Sequence, residues 1–128
     1  MVKYNPLSYA YIGDAVYELF IRDMLIEKYP NFNPHKYHIM SIKYVKASNQ
    51  AYAIRALWDE LDDEEKLIAK KGRNAKPHTI PKNADIVDYK FATAFECLIG
   101  YLYLEKREER LQIILQKTFN ILTKGRCD

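Results

Sequence analysis

The sequence predicts an all-α protein, and three observations carry that prediction. Apolar residues recur at three- and four-residue spacing along most of the chain, the period of a half-buried helix. Helix punctuation falls where the period lapses, at Asn33 before Pro34 and at Gly72 followed by Pro77 and Pro81. No two alternating apolar–polar segments are joined by a turn, so there is no strand pair. A length of 128 residues fits one domain with a real core. Five to seven helices in one bundle is the expected architecture.

The first helix is expected over about residues 6 to 29. Ile12, Val16, Leu19 and Phe20 form one stripe, and the opposite side carries Ala10, Asp14, Tyr17 and Ile21. A helix so apolar all round is expected to be central or covered by another subunit. Asn33 then reads as an N-cap with Pro34 in the first helical position. From there to residue 58 the pattern is helical in two pieces, broken near residues 44 to 47. Ala47, Tyr52, Ile54, Ala56, Leu57 and Trp58 are expected to supply core.

A short helix near residues 62 to 71 opens on acids and closes on lysines, which suits the helix dipole, and reads as capped and solvated. Residues 72 to 82, with one glycine and two prolines, are expected to form an irregular basic loop. The run from residue 91 to 104 is the next helix. A last one, near residues 108 to 123, lines up Leu111, Ile114, Leu115, Thr118 and Leu122 on one face.

Composition narrows the function classes. Two cysteines, Cys97 and Cys127, give neither a disulfide framework nor zinc spacing. No leader segment is visible and the apolar runs are too short and interrupted to span a bilayer, so a soluble, cytoplasmic protein is expected. The net charge of +3 says little, but its distribution says more. Residues 59 to 65 hold six acids; residues 66 to 84 hold Lys66, Lys70, Lys71, Arg73, Lys76 and Lys82 without one acid. Basic residues that continue beyond the helix suit a clamp on a phosphate backbone.

Two carboxylates mark a candidate site. Glu96 is the lone charge in residues 91 to 104, and Asp14 stands in a similar setting within residues 7 to 20, beside Glu18. An unpaired buried carboxylate costs several kcal/mol, so such a group is protonated, ion-paired or metal-bound. His35, His38 and His78 show no metal spacing. Glu18 is expected to pair with a lysine or Arg22, and Asp85 and Asp88 to cap the helix that carries Glu96.

Tyr11-Ile-Gly-Asp-Ala-Val-Tyr-Glu18 and Phe95-Glu-Cys-Leu-Ile-Gly-Tyr-Leu-Tyr-Leu104 resemble the two signature helices of the ribonuclease III catalytic domain. The Lys70-Lys-Gly-Arg-Asn-Ala-Lys76 stretch, and the lack of an expected double-stranded-RNA-binding domain, narrow the resemblance to the Mini-ribonuclease 3 branch. It covers about residues 5 to 122. It implies a homodimeric ribonuclease III-like helical bundle that cleaves double-stranded RNA with Mg²⁺, associated with maturation of the 23S ribosomal RNA precursor.

By the same resemblance, Asp14 matches the catalytic, metal-binding aspartate and Glu96 the metal-binding glutamate of the second signature helix. Tyr11 stands where the family uses an aromatic to plug the neighbouring subunit. Lys70, Lys71, Arg73 and Lys76 are expected on the RNA backbone, since duplex RNA is recognised through shape, phosphates and 2′-hydroxyls.

The sequence departs from the family at two positions. A glutamate is usual four residues before the catalytic aspartate, where Ala10 stands, and an aspartate three residues before the second-helix glutamate, where Thr93 stands. Two carboxylates suffice for one Mg²⁺ that keeps waters and takes substrate oxygens. Thr93 either packs on its helix or orients a water. The alternatives are a non-catalytic double-stranded-RNA-binding module on the same fold, and a helical interaction domain without RNA.

Overall fold

A computed structural model describes residues 2–76 and 79–127. Six helices follow one another: α1 (Pro6–Lys28), α2 (Pro34–Val45), α3 (Ala47–Leu57), α4 (Asp63–Asn74), α5 (Ile86–Leu104) and α6 (Glu108–Gly125), with a single 3-10 turn, Trp58–Glu60, between α3 and α4. The described residues form no strand. No helix among them is long and apolar enough to cross a membrane.

Local chemistry sets the boundaries. Asn5 caps α1 by accepting from the Leu7 N–H, and Pro6 takes the first helical position. Asn33 accepts from the Lys36 N–H ahead of Pro34, as expected. Asp62 and Glu65 form a reciprocal capping box at the start of α4. Asp85 caps α5 by accepting from the Asp88 N–H.

The core is arranged around α5, whose Ala92, Ala94, Phe95, Cys97, Leu98, Ile99, Tyr101 and Leu102 are all buried. Helices α1, α3, α4 and α6 all pack against it, and the contact with α1 is the most extensive in the fold. Tyr17 meets Phe95 edge-on at 4.8 Å, and Tyr9 meets Tyr101 at 5.5 Å. All five expected core residues of α6 are buried.

The structure corrects several expectations. The buried face of α1 is Tyr9, Ala10, Gly13, Tyr17, Ile21 and Leu25, while Leu19 from the expected stripe is 63% exposed. Both sides of α1 are apolar, so periodicity alone could not choose between them. Ala47, Tyr52 and Ala56 face outward, whereas Ile54 and Leu57 are fully buried.

Glu65 is not a solvated acid. It is fully buried and takes Arg110 in two bonds, from Nε at 2.7 Å and from Nη2 at 2.8 Å. The basic loop also begins later than expected, because α4 runs on through Gly72 and Arg73 to Asn74. A Cβ at Gly72 would lie 2.7 Å from the Cys97 Cβ, so this glycine lets α4 pack closely on α5 instead of ending the helix. Pro77 and His78 lie outside the described residues.

Candidate active site

Asp14 and Glu96 come together because α1 and α5 cross at almost backbone contact. A Cβ at Gly13 would lie 1.9 Å from the carbonyl oxygen of Glu96, and one at Gly100 would lie 1.8 Å from that of Tyr9. Only glycine permits this approach at either position. The residue after Gly13 is Asp14, so the crossing sets its carboxyl beside that of Glu96, within hydrogen-bonding reach.

The two carboxyls line a cleft of about 180 Å³ together with Val45, Ala47, Gln50, Tyr89, Ala92 and Thr93. Asp14 stands on the exposed rim and Glu96 is half-buried. Burial, and then the neighbouring Asp14, push the Glu96 carboxyl up to about 8; the Gln50 amide acts the other way. Near neutral pH Glu96 therefore keeps its proton beside Asp14. Among the described residues no three His, Cys, Asp or Glu side chains gather in a metal-sized cluster. The carboxylate complement of the cleft is these two.

Ala10 belongs to the core and does not line the cleft. Thr93 does line it, but its hydroxyl donates to the Tyr89 carbonyl at 2.9 Å, the bond of a helix-packing threonine. Glu18 pairs with Arg22 at 3.4 Å on the exposed side of α1. Tyr11 is 84% exposed, on the same outer stripe of α1 as Leu19 and Ile26.

Of the four expected RNA contacts, Lys70, Lys71 and Arg73 lie on α4 and only Lys76 lies beyond it. Lys70 and Arg73 line a groove with Arg55, Trp58 and Phe91. The Arg55 guanidinium sits 4.2 Å from the centre of the Phe91 ring, Arg73 lies 5.9 Å from the same ring, and the Lys70 ammonium lies 6.0 Å from that of Trp58. The basic groove adjoins the acidic cleft, because Phe91 lines one while Ala92 and Thr93 line the other.

Sequence reasoning missed four participants. Arg55 lies on α3, outside the basic run, and only tertiary packing brings it to α4. Gln50 is neutral and gave no charge signal, yet it is 2% exposed and lines the cleft. The paired Gly13 and Gly100 were visible inside both signature helices, without a stated role.

Comparison with known proteins bears on the family and the fold. The family model described as "Ribonuclease III domain" matches residues 7–107. Mini-ribonuclease 3 of Clostridium tetani is 49% identical over 117 residues, covering 91% of this chain and 78% of that protein. The Staphylococcus aureus protein of the same name is 47% identical over 120 residues, covering 92% and 89%. A crystal structure of a Fusobacterium nucleatum protein superimposes with a TM-score of 0.82 at 34% identity, covering 96% of this chain and 94% of that one.

Proposed function

The chain belongs to the ribonuclease III family, and on that premise we propose that it is a Mini-ribonuclease 3-type endoribonuclease. It hydrolyses double-stranded RNA with a divalent metal, Mg²⁺, in the cytoplasm, and matures the 23S ribosomal RNA precursor. The observation that carries this reading is the shared cleft of Asp14 and Glu96 beside a groove of Arg55, Lys70 and Arg73. A polyanion is drawn in by the groove, and the carboxylates beside it need a cation to face a phosphate.

The donor set suits Mg²⁺. Two carboxylates close enough to share a proton repel each other once both ionise, and a small divalent cation relieves that repulsion. Mg²⁺ binds through one or two carboxylates and keeps several waters. When bound, it supplies a nucleophilic water and neutralises charge on the phosphoryl group and the leaving oxygen.

The chain's own residues do the rest. Asp14, on the rim, faces the substrate side, and Glu96 anchors the inner side of the site. The close crossing at Gly13 and Gly100 fixes their spacing. Lys70, Lys71, Arg73 and Lys76 hold the backbone of the duplex, with Arg55 beside them.

A homodimer places two such sites on one duplex. The outer stripe of α1 supports it: Tyr11, Leu19 and Ile26 are 84%, 63% and 53% exposed in a single chain. Tyr11 is the side chain that would enter the neighbouring subunit, and Tyr11→Ala should shift the protein toward monomer in sedimentation equilibrium.

The deciding experiment is cleavage of a labelled RNA duplex with and without Mg²⁺, by wild type and by Asp14→Asn. Wild-type cutting that needs the metal and is lost in the variant, with duplex binding kept, is the expected result. Duplex binding without cutting by either protein would replace the enzyme with a non-catalytic RNA-binding module.

A further inference from the structure

The basic groove collects three cations without an acid to match them. Arg55 comes from α3, Lys70 and Arg73 from α4, and Trp58 and Phe91 complete the lining of a cavity of about 390 Å³. Elsewhere the chain does pair its cations: Arg107, Arg110 and Lys117 meet Glu64, Glu65 and Glu60. Among the described residues none of the three groove cations takes part in an ion pair. Arg73 Nε donates to Asn74 Oδ1 at 3.2 Å, a neutral partner. Like charges gathered in a concave site with apolar walls focus the local field and draw in an anion.

Phe91 stands where a carboxylate would otherwise be needed. Its ring centre lies 4.2 Å from the Arg55 guanidinium and 5.9 Å from that of Arg73, the second at the outer limit of such an attraction. Lys70 stands 6.0 Å from the Trp58 ring, so the Arg55–Phe91 contact is the close one. A ring attracts a guanidinium without neutralising it, and the charge remains for a phosphate. A carboxylate would cancel that charge. A bare arginine would keep it but sample many rotamers, and freezing it on a ligand costs binding entropy.

Phe91 also fixes where the cations stand. It packs against the core and lines the groove, while its neighbours Ala92 and Thr93 line the acidic cleft. Glu96 follows five residues later on the same helix, about 7.5 Å of axial rise. A strand with one phosphate at the two carboxyls therefore has a neighbouring phosphate within reach of the groove.

Resting on the reading of this groove as an RNA contact, we propose that Phe91 is a positioning residue for the substrate. Its ring holds the Arg55 guanidinium, with Arg73 beside it, on a backbone phosphate next to the one that is cut. Phe91 touches no reacting atom and acts through the arginines.

The test is a cycle of variants of the full chain: wild type, Phe91→Leu, Phe91→Tyr, Arg55→Ala with Arg73→Ala, and that pair with Phe91→Leu. Duplex RNA binding is measured by fluorescence anisotropy without divalent metal, and kcat and KM for cleavage with Mg²⁺. Melting temperature is recorded beside them. Phe91→Leu keeps an apolar side chain against the core but removes the ring, whereas Phe91→Tyr keeps the ring. Phe91→Leu should bind about two- to fivefold more weakly, with a matching rise in KM and an unchanged kcat, and Phe91→Tyr should bind as wild type does. In the background lacking Arg55 and Arg73, Phe91→Leu should weaken binding no further, because the ring then has nothing to hold.

Wild-type binding by Phe91→Leu would overturn the proposal. So would a loss of the same size in both backgrounds, or a kcat that falls while KM stays. Each of these leaves Phe91 a packing residue of α5. Should Phe91→Leu not fold, Phe91→Met takes its place under the same criteria. Duplex binding that survives Arg55→Ala with Arg73→Ala undiminished instead removes the groove itself from the RNA interface, and the proposal with it.

Discussion

Substituting Gly13 by alanine tests how the site is built, because it adds one methyl group where two backbones meet. The new Cβ would lie 1.9 Å from the Glu96 carbonyl oxygen, with that carbonyl carbon and the Gly100 nitrogen both at 2.8 Å. Ordinary contact begins near 3.4 Å, so close-packed helices must part locally by roughly 1.5 Å. The obstacle is backbone and cannot rotate away, which puts the cost at the upper end of overpacking, about 3 kcal/mol.

The same displacement acts directly on the pair of carboxyls, since Asp14 moves with Gly13 and Glu96 owns the carbonyl that is struck. A misplacement of about 1 Å costs on the order of 100-fold in rate. Gly13→Ala should therefore lower the urea midpoint and, in the fraction that stays folded, slow single-turnover cleavage by about two orders of magnitude. Gly125→Ala is the control, since its Cβ would come no nearer than 3.4 Å to the Tyr52 side chain. A Gly13→Ala protein with wild-type midpoint and wild-type cleavage rate would refute the claim that this crossing sets the site.

Three further outcomes are expected. Glu96 is raised from 4.5 to about 8 in the folded chain, so the native state holds a proton that the unfolded state has released. Without metal, stability should fall as pH rises from about 5 to about 8 and then level off, while divalent-cation affinity climbs over the same range. Thermal melts in chelator from pH 5 to 9 check this, and Glu96→Gln should flatten the slope. Arg110→Ala should cost about 3–5 kcal/mol by stranding the buried Glu65, whereas Glu65→Leu with Arg110→Met should cost far less; urea unfolding distinguishes them. Replacing Arg55 and Arg73 together by alanine should weaken duplex binding across sequences and flatten its salt dependence by about one unit per lost phosphate contact, and an unchanged slope removes the groove from the RNA interface.

The sequence itself determined the helices, and the reason is local. Caps at Asn33 and Asp62, the break near Lys46 and the apolar period of α6 each depend on residues within a turn or two of one another. It also singled out Asp14 and Glu96, because a charge on an otherwise apolar helix is costly wherever that helix packs. The site's neutral and cross-helix parts were not legible. Which side of α1 is core depends on its packing against α5, and the burial of Glu65 under Arg110 and the recruitment of Arg55 beside Arg73 depend on partners 45 and 18 positions away in the chain. Periodicity records that a face is apolar; it does not record what meets that face. Only tertiary packing decided that two glycines would bring α1 and α5 to backbone contact and so place two isolated acids in one cleft.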